Sequence, residues 1–382
     1  MGAGRTLPLR VEPLPGEALD SWLEALAQRH GVYFGDVLHR CGIASTGPGG
    51  WVRLLDRDTF GRIADVTGFS PCDIDAMALP RNPGARTGTS TRLARNLPSG
   101  PWDWRANSRY CPHCLNGNGG RWKLVWRLNW TFACLDHNCL LADACPECHC
   151  DQRRIAHSMS HIPHPGLCRG VRQRDTTGAL HTCEAHLASV QPISLSNSPI
   201  FVDAQQQVMG MLLAAAPVAP QDDHGPLAAL ATLRVLVRWV AKTIDYAQLE
   251  PQTVLAAGES GLPNLMAPYS GRAAPNAAAQ TAASIVTALS ILNAPNITQA
   301  AHTWRDFMIA ASHGRIHRLT KSDQGALIPS IRSAHSRAYA DANAQHKLRR
   351  RFSTSAARHN LHDPAPVPGE RRLGKAQQYC AR

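Results

Sequence analysis

Residues 109–150 read RYCPHCLNGNGGRWKLVWRLNWTFACLDHNCLLADACPECHC and hold seven of the twelve cysteines. Within them Cys111 and Cys114 are two residues apart, Cys134 and His137 repeat that spacing, and Cys145 and Cys148 repeat it again. A two-residue spacer lets both side chains of a tight turn reach one ion, and two such pairs supply the four tetrahedral ligands of a structural zinc. The spacing therefore predicts a first site made of Cys111, Cys114, Cys134 and His137. Cys145 and Cys148 form half of a second site, for which Cys168 and Cys183 are the best remaining thiols, ahead of Cys139, Cys150, His149, His181 and His186. Cys139 and Cys150 each stand two residues past a ligand, too close for another such pair, and read as buried thiols.

Composition agrees with metal rather than disulfides. The opening MGAGRTLPLRVEPLPG has no apolar signal core, and no long uncharged apolar run follows, so neither export nor a membrane span is expected. Paired thiols in a reducing compartment bind metal more often than they oxidise, and mixed thiolate and imidazole donors favour Zn2+. Catalytic zinc is disfavoured. There is no His-x-Glu to move protons at a metal-bound water, and a site with four protein ligands has no open position for substrate.

Upstream, Leu19, Trp22, Leu23 and Leu26 recur at helical spacing and Gly31 follows. Further short helices are predicted over Phe34–Cys41 and from Asp58 to Gly68, and Pro71 opens another. Short helices joined by glycine turns suit a DNA-contacting helix-turn-helix and a plain helical bundle equally well. Residues 80–101 form a linker carrying Arg81, Arg86, Arg92 and Arg95 and no acid. Five of the nine tryptophans crowd into 102–130; they read as a small core packed on the metal rather than a base-stacking platform. A short helix near 121–128 and a hairpin turning at Cys134–His137 are expected there.

Beyond Pro192, helices are predicted over Phe201–Ala214, Leu227–Tyr246, Ala277–Leu292 and Thr298–Ala311. The net charge of +12 is concentrated at the end: residues 313–382 carry 14 Lys or Arg against 4 Asp or Glu. A basic helix over Arg332–Phe352 ends in Lys347, Arg349, Arg350 and Arg351, and the chain from 359 is expected to be disordered. Such a segment either binds phosphates or merely stays solvated. The fold class expected is mainly α, in five parts: 1–79 helical, 80–101 linker, 102–190 double zinc finger, 191–358 helical, and 359–382 a basic disordered tail.

Two stretches add a resemblance. Leu14-Pro-Gly-Glu-Ala-Leu-Asp-Ser-Trp-Leu23 resembles the opening signature of the TniQ family. Arg109-Tyr-Cys-Pro-His-Cys-Leu115, Trp126-Arg-Leu128, Cys134-x-x-His137 and Leu140-Leu-x-x-x-Cys-Pro-x-Cys148 resemble its zinc segment, so the likeness runs over residues 7–187. Where the family has a glycine after the histidine and after the last Cys-Pro-x-Cys, this chain has Asn138 and His149. TniQ proteins, with the related TnsD target selectors, are accessory proteins of DNA transposition. The resemblance implies a helix-turn-helix followed by zinc fingers, and Cys145, Cys148, Cys168 and Cys183 as the second ligand set. It also implies a non-enzymatic role marking target DNA alongside an AAA+ transposition ATPase of the TniB or TnsC type and a transposase. A homodimer is compatible with that role, as are a cytoplasmic, nucleoid-associated location and no membrane partner. A transcriptional regulator, or a protein scaffold without DNA contact, would share the same features.

Overall fold

The computed structural model describes residues 6–43, 57–78, 105, 107–153, 159–174, 180–214, 226–243, 277–310 and 318–359. The linker with Arg81, Arg86, Arg92 and Arg95, and the tail from 360, lie outside the described residues.

The protein is mainly α-helical. Helices Leu19–His30, Phe34–Arg40, Arg57–Thr67 and Pro71–Ala76 form the N-terminal part, close to their expected bounds. The first ends because Gly31, at φ 65°, turns left-handed and sends its N–H back to the Ala27 and Gln28 carbonyls. The fourth starts on a capping box: Ser70 accepts from the Asp73 N–H while the Asp73 carboxylate accepts from the Ser70 N–H, with Pro71 at the first helical position.

The cysteine-rich segment uses little regular structure. It has the short helix Pro112–Gly117, a 3₁₀ turn at Leu124–Arg127, and the antiparallel hairpin of Ala133–Cys134 with Cys139–Leu140. A second hairpin, Val171–Arg174 with Leu180–Thr182, was not expected from the sequence; it closes the chain between Cys168 and Cys183. Trp102 and Trp104 lie outside the described residues, and the other three tryptophans of this stretch are core. Trp122 and Trp126 pack edge to face among the cysteines, while Trp130 joins the main core.

In the C-terminal part, Ala278–Leu292 is the central helix, packed on Pro199–Ala214, Pro226–Thr243 and Ile297–Ala310. It is apolar or small on every side and almost wholly buried, as an enclosed helix must be. Helix Ile297–Ala310 lies along the 31-residue helix Pro329–His359, where Ala334, Ala338 and Ala342 recur every fourth residue beneath Trp304 and its neighbours. A short helix, Lys321–Gly325, precedes it. No described helix is long and apolar enough to cross a membrane.

One continuous apolar core runs from Ala18 in the first helix through Leu128 and Phe132 to Ala342. Polar side chains tie the same parts together. Asp143 accepts from the Arg109 Nε at 3.0 Å and from the Ala278 N–H at 2.8 Å, capping the central helix. Arg109 also donates to the Thr131 carbonyl and Thr281 Oγ1. Gln205, buried on helix Pro199–Ala214, accepts from the Phe132 and Ala133 N–H groups and so holds the strand that carries Cys134.

Candidate metal centre

Cys111 is the N-cap of helix Pro112–Gly117, with Pro112 at its first position, and Cys114 follows at the third. One helical turn thus presents both thiols on one side. The hairpin brings Cys134 and His137 to meet them. Cys114 Sγ lies 3.6 Å from Cys134 Sγ, and the His137 Nδ1 lies 3.6, 3.3 and 3.5 Å from the sulfurs of Cys111, Cys114 and Cys134. The second group joins Cys145 to Cys183 at 3.8 Å and Cys148 to Cys168 at 3.6 Å. In each group of four the donor atoms all lie within 4.8 Å of one another.

Four thiolates placed about 2.3 Å from a tetrahedral zinc stand about 3.8 Å apart, and an imidazole nitrogen about 3.5 Å from each sulfur. Both groups have that size and donor chemistry, so each could hold a metal ion. No disulfide joins these thiols among the described residues. Hydrogen bonds from Cys111 and Cys114 hold Cys134 far below the usual thiol range, as a thiolate, which is the form a metal binds. Backbone N–H groups of Glu147 and Gly170 point at Cys145 and Cys168 at 3.4 and 3.3 Å, and Gln152 Nε2 reaches Cys168. Such outer bonds orient ligands and stabilise their charge.

The turns that close these groups are strained in one consistent way. In three of the four pairs the residue after the last ligand has a positive φ, Asn138 at 44°, His149 at 56° and Glu184 at 48°, whereas Leu115 after Cys114 continues a helix. Asn tolerates this conformation; His and Glu adopt it at a cost. His149 thus takes the backbone conformation of the glycine it replaces. Gly120, at φ 83°, sits where a Cβ would lie 2.4 Å from the Gly166 nitrogen, so the loop after the first helix and the loop before Cys168 touch backbone to backbone.

The competing donors fall elsewhere. Cys150 lies against Gly170, and Cys139 is buried beside the first group without belonging to it. A cleft of about 440 Å³ runs alongside the first group, lined by Leu14, Pro15, His113, Asn118, Asp136 and His137 among others. Lys347 and Arg349 are exposed on the last helix; Arg350 and Arg351 follow on the same helix.

One set of polar residues was missed by the sequence reading. Asp20, Ser21 and Glu24 occupy one face of the first helix, opposite its apolar stripe, and Glu17 stands just ahead of its N-cap Ala18, where solvent would be expected. Instead they are buried. Arg121 pairs with Glu17, donating from Nε to Oε1 at 2.7 Å. Arg127 and Arg153 both pair with Asp20, and Arg153 also with Glu24. The Arg153 guanidinium lies 4.7 Å over the Trp122 ring. Burial pushes the Asp20 carboxyl up, but the two arginines outweigh it and hold the group well below the usual carboxylate range. Backbone bonds run beside these pairs, from Ala18 N to Trp122 O and from Leu124 N to Gly16 O. The Leu14–Leu23 signature is therefore the segment that locks onto the cysteine-rich module.

Residues 8–141 match the TniQ family model. The chain carries a TniQ domain. The matched span begins at the proline-rich entry to the first helix and ends just after the first Cys3His group; it contains the Glu17–Arg121 and Asp20–Arg127 pairs, while Arg153 lies beyond it. The second group, from Cys145 onward, lies beyond the matched residues. The TniQ family is associated with the transposition machinery. No curated protein matches the chain.

Proposed function

We propose that this protein is a zinc-stabilised, non-enzymatic accessory factor of DNA transposition. It helps to select or mark the target site and connects that DNA to a transposition ATPase and transposase in the cytoplasm. The observation that carries the reading is the TniQ match, whose span includes the signature helix, the first Cys3His group and the Glu17–Arg121 and Asp20–Arg127 pairs between them. Zn2+ is the ion proposed for both groups, with Cys111, Cys114, Cys134 and His137 holding one and Cys145, Cys148, Cys168 and Cys183 the other. Closed sets of four protein ligands suit folding rather than catalysis.

DNA contact is assigned to the basic segments: Lys347, Arg349, Arg350 and Arg351 on the last helix, with Arg81, Arg86, Arg92 and Arg95 of the linker. The exposure of Lys347 and Arg349 supports the first set. The test is duplex-DNA binding by the zinc-loaded full chain as a function of salt. If the four cations at 347–351 neutralise phosphates, affinity falls about 100-fold between 50 and 200 mM salt. Replacing those four by alanine should flatten the slope. Binding that ignores both salt and the substitutions would sink the DNA-contact assignment and favour a scaffold that touches only proteins. Capture of an AAA+ ATPase encoded beside the gene would support the connecting role.

A further inference from the structure

The hairpin of the first metal group pairs Cys134 directly with Cys139 across its two strands. Directly paired cross-strand residues project to the same face, so the Cys139 thiol shares the face on which Cys134 meets the other donors. It is buried, at 2% exposure. Its sulfur lies 3.7 Å from that of Cys111, within the range that separates the proposed ligand thiols from one another, 3.6 to 3.8 Å. His137, by contrast, is the exposed member of its group. Its imidazole is held by one short turn and is open to solvent, whereas the competing thiol is already enclosed on the Cys111–Cys134 side.

We propose that the first site has five donors for four positions, with Cys139 as the ligand that replaces His137. The proposal rests on the reading that this group holds zinc. The exchange balances without redox chemistry. The metal–nitrogen bond to His137 breaks, Cys139 gives up its thiol proton, the released imidazole accepts it, and a metal–sulfur bond forms. The ligand set passes from three thiolates and one neutral imidazole to four thiolates, and the site gains one negative charge. The consequence is a metal that stays bound when the exposed imidazole is drawn away.

The test reconstitutes the full chain with Co2+ and compares wild type, Cys139→Ser, His137→Ala and the double variant, measuring metal per chain and the cobalt spectrum. Wild type and Cys139→Ser should each hold two ions, with the thiolate-to-cobalt charge-transfer intensity of seven thiolates. His137→Ala should still hold two, with that intensity raised by one seventh and the d–d bands moved to lower energy. The double variant should lose one ion. His137→Asn repeats the measurement with a side chain nearer the original size, should the truncation itself unfold the hairpin. If both His137 variants lose an ion, or keep it with an unchanged charge-transfer intensity, the proposal is overturned. Fewer than two ions in the wild type would instead overturn the underlying metal assignment.

Discussion

Asp20→Asn tests the contact that joins the signature helix to the metal module. Asp20 accepts from both Arg127 and Arg153, and Arg153 also meets Glu24, so the buried cluster sets these two carboxyls against these two guanidiniums. Asparagine keeps the shape and one acceptor but removes the charge. Both arginines are nearly enclosed, and Arg127 Nη1 and Arg153 Nε already have no hydrogen-bond partner. Removing one member of a buried ion cluster costs about 3–5 kcal/mol, because the charges left behind are neither hydrated nor paired. With a denaturant slope of about 3 kcal/mol/M, the urea midpoint of the zinc-saturated chain, followed by tryptophan fluorescence, should fall by roughly 1–1.5 M. The sign with pH is fixed by the depressed carboxyl. Its contribution is present above the ordinary value of 3.8 and is lost as the pH falls below it, so variant and wild type should converge only in acid. Adding Arg127→Gln should recover part of the loss, with a coupling above about 1 kcal/mol. A single-variant loss under about 1 kcal/mol, or simple additivity in the double variant, would refute the view that this cluster holds the two parts together.

Glu24 should behave in the opposite sense. Burial pushes its carboxyl up to about 8 despite Arg153, so the folded state binds that proton more tightly than the unfolded chain. Its stabilising contribution is full below the ordinary value of 4.5 and fades as the pH climbs through 8. Glu24→Gln is expected to be near neutral at pH 6 and to flatten the fall in melting temperature between pH 6 and 9; parallel wild-type and variant curves would contradict this. His149→Gly should raise stability by about 0.5–1 kcal/mol, since glycine occupies φ 56° without the steric cost an L side chain carries there. A loss in thermal denaturation at constant zinc would show that the imidazole makes a compensating contact.

Much of the candidate site was legible because metal ligation is local in its grammar. A two-residue spacer between donors has few geometric solutions, and the pairs at Cys111, Cys134 and Cys145 each sit in a turn that folds without distant help. The helices were legible for a similar reason. Leu19, Trp22, Leu23 and Leu26 set a stripe, while Gly31 and Ser70-Pro71 set a stop and a start, and each signal acts within a few residues. Cys139 reads from its spacing as a buried thiol and is buried, but its closeness to Cys111 comes from a cross-strand register, which spacing along the chain does not specify. The hairpin between Cys168 and Cys183 was missed because its strands, four and three residues long, are too short to carry a legible alternation.

The acidic face of the first helix marks the division most clearly. By itself the sequence determined that a helix with an apolar stripe of Leu19, Trp22, Leu23 and Leu26 stands here, and that paired donors lie about a hundred residues on. It did not determine that the face is buried. Acids on one side of an amphipathic helix are stable in water, and only guanidiniums brought into contact make their burial tolerable. Arg121, Arg127 and Arg153 supply those contacts from the metal module, at separations of about a hundred residues or more. The helix period and the ligand spacing are properties of neighbouring residues. The burial of these charges is a property of pairs that meet only once the module has closed.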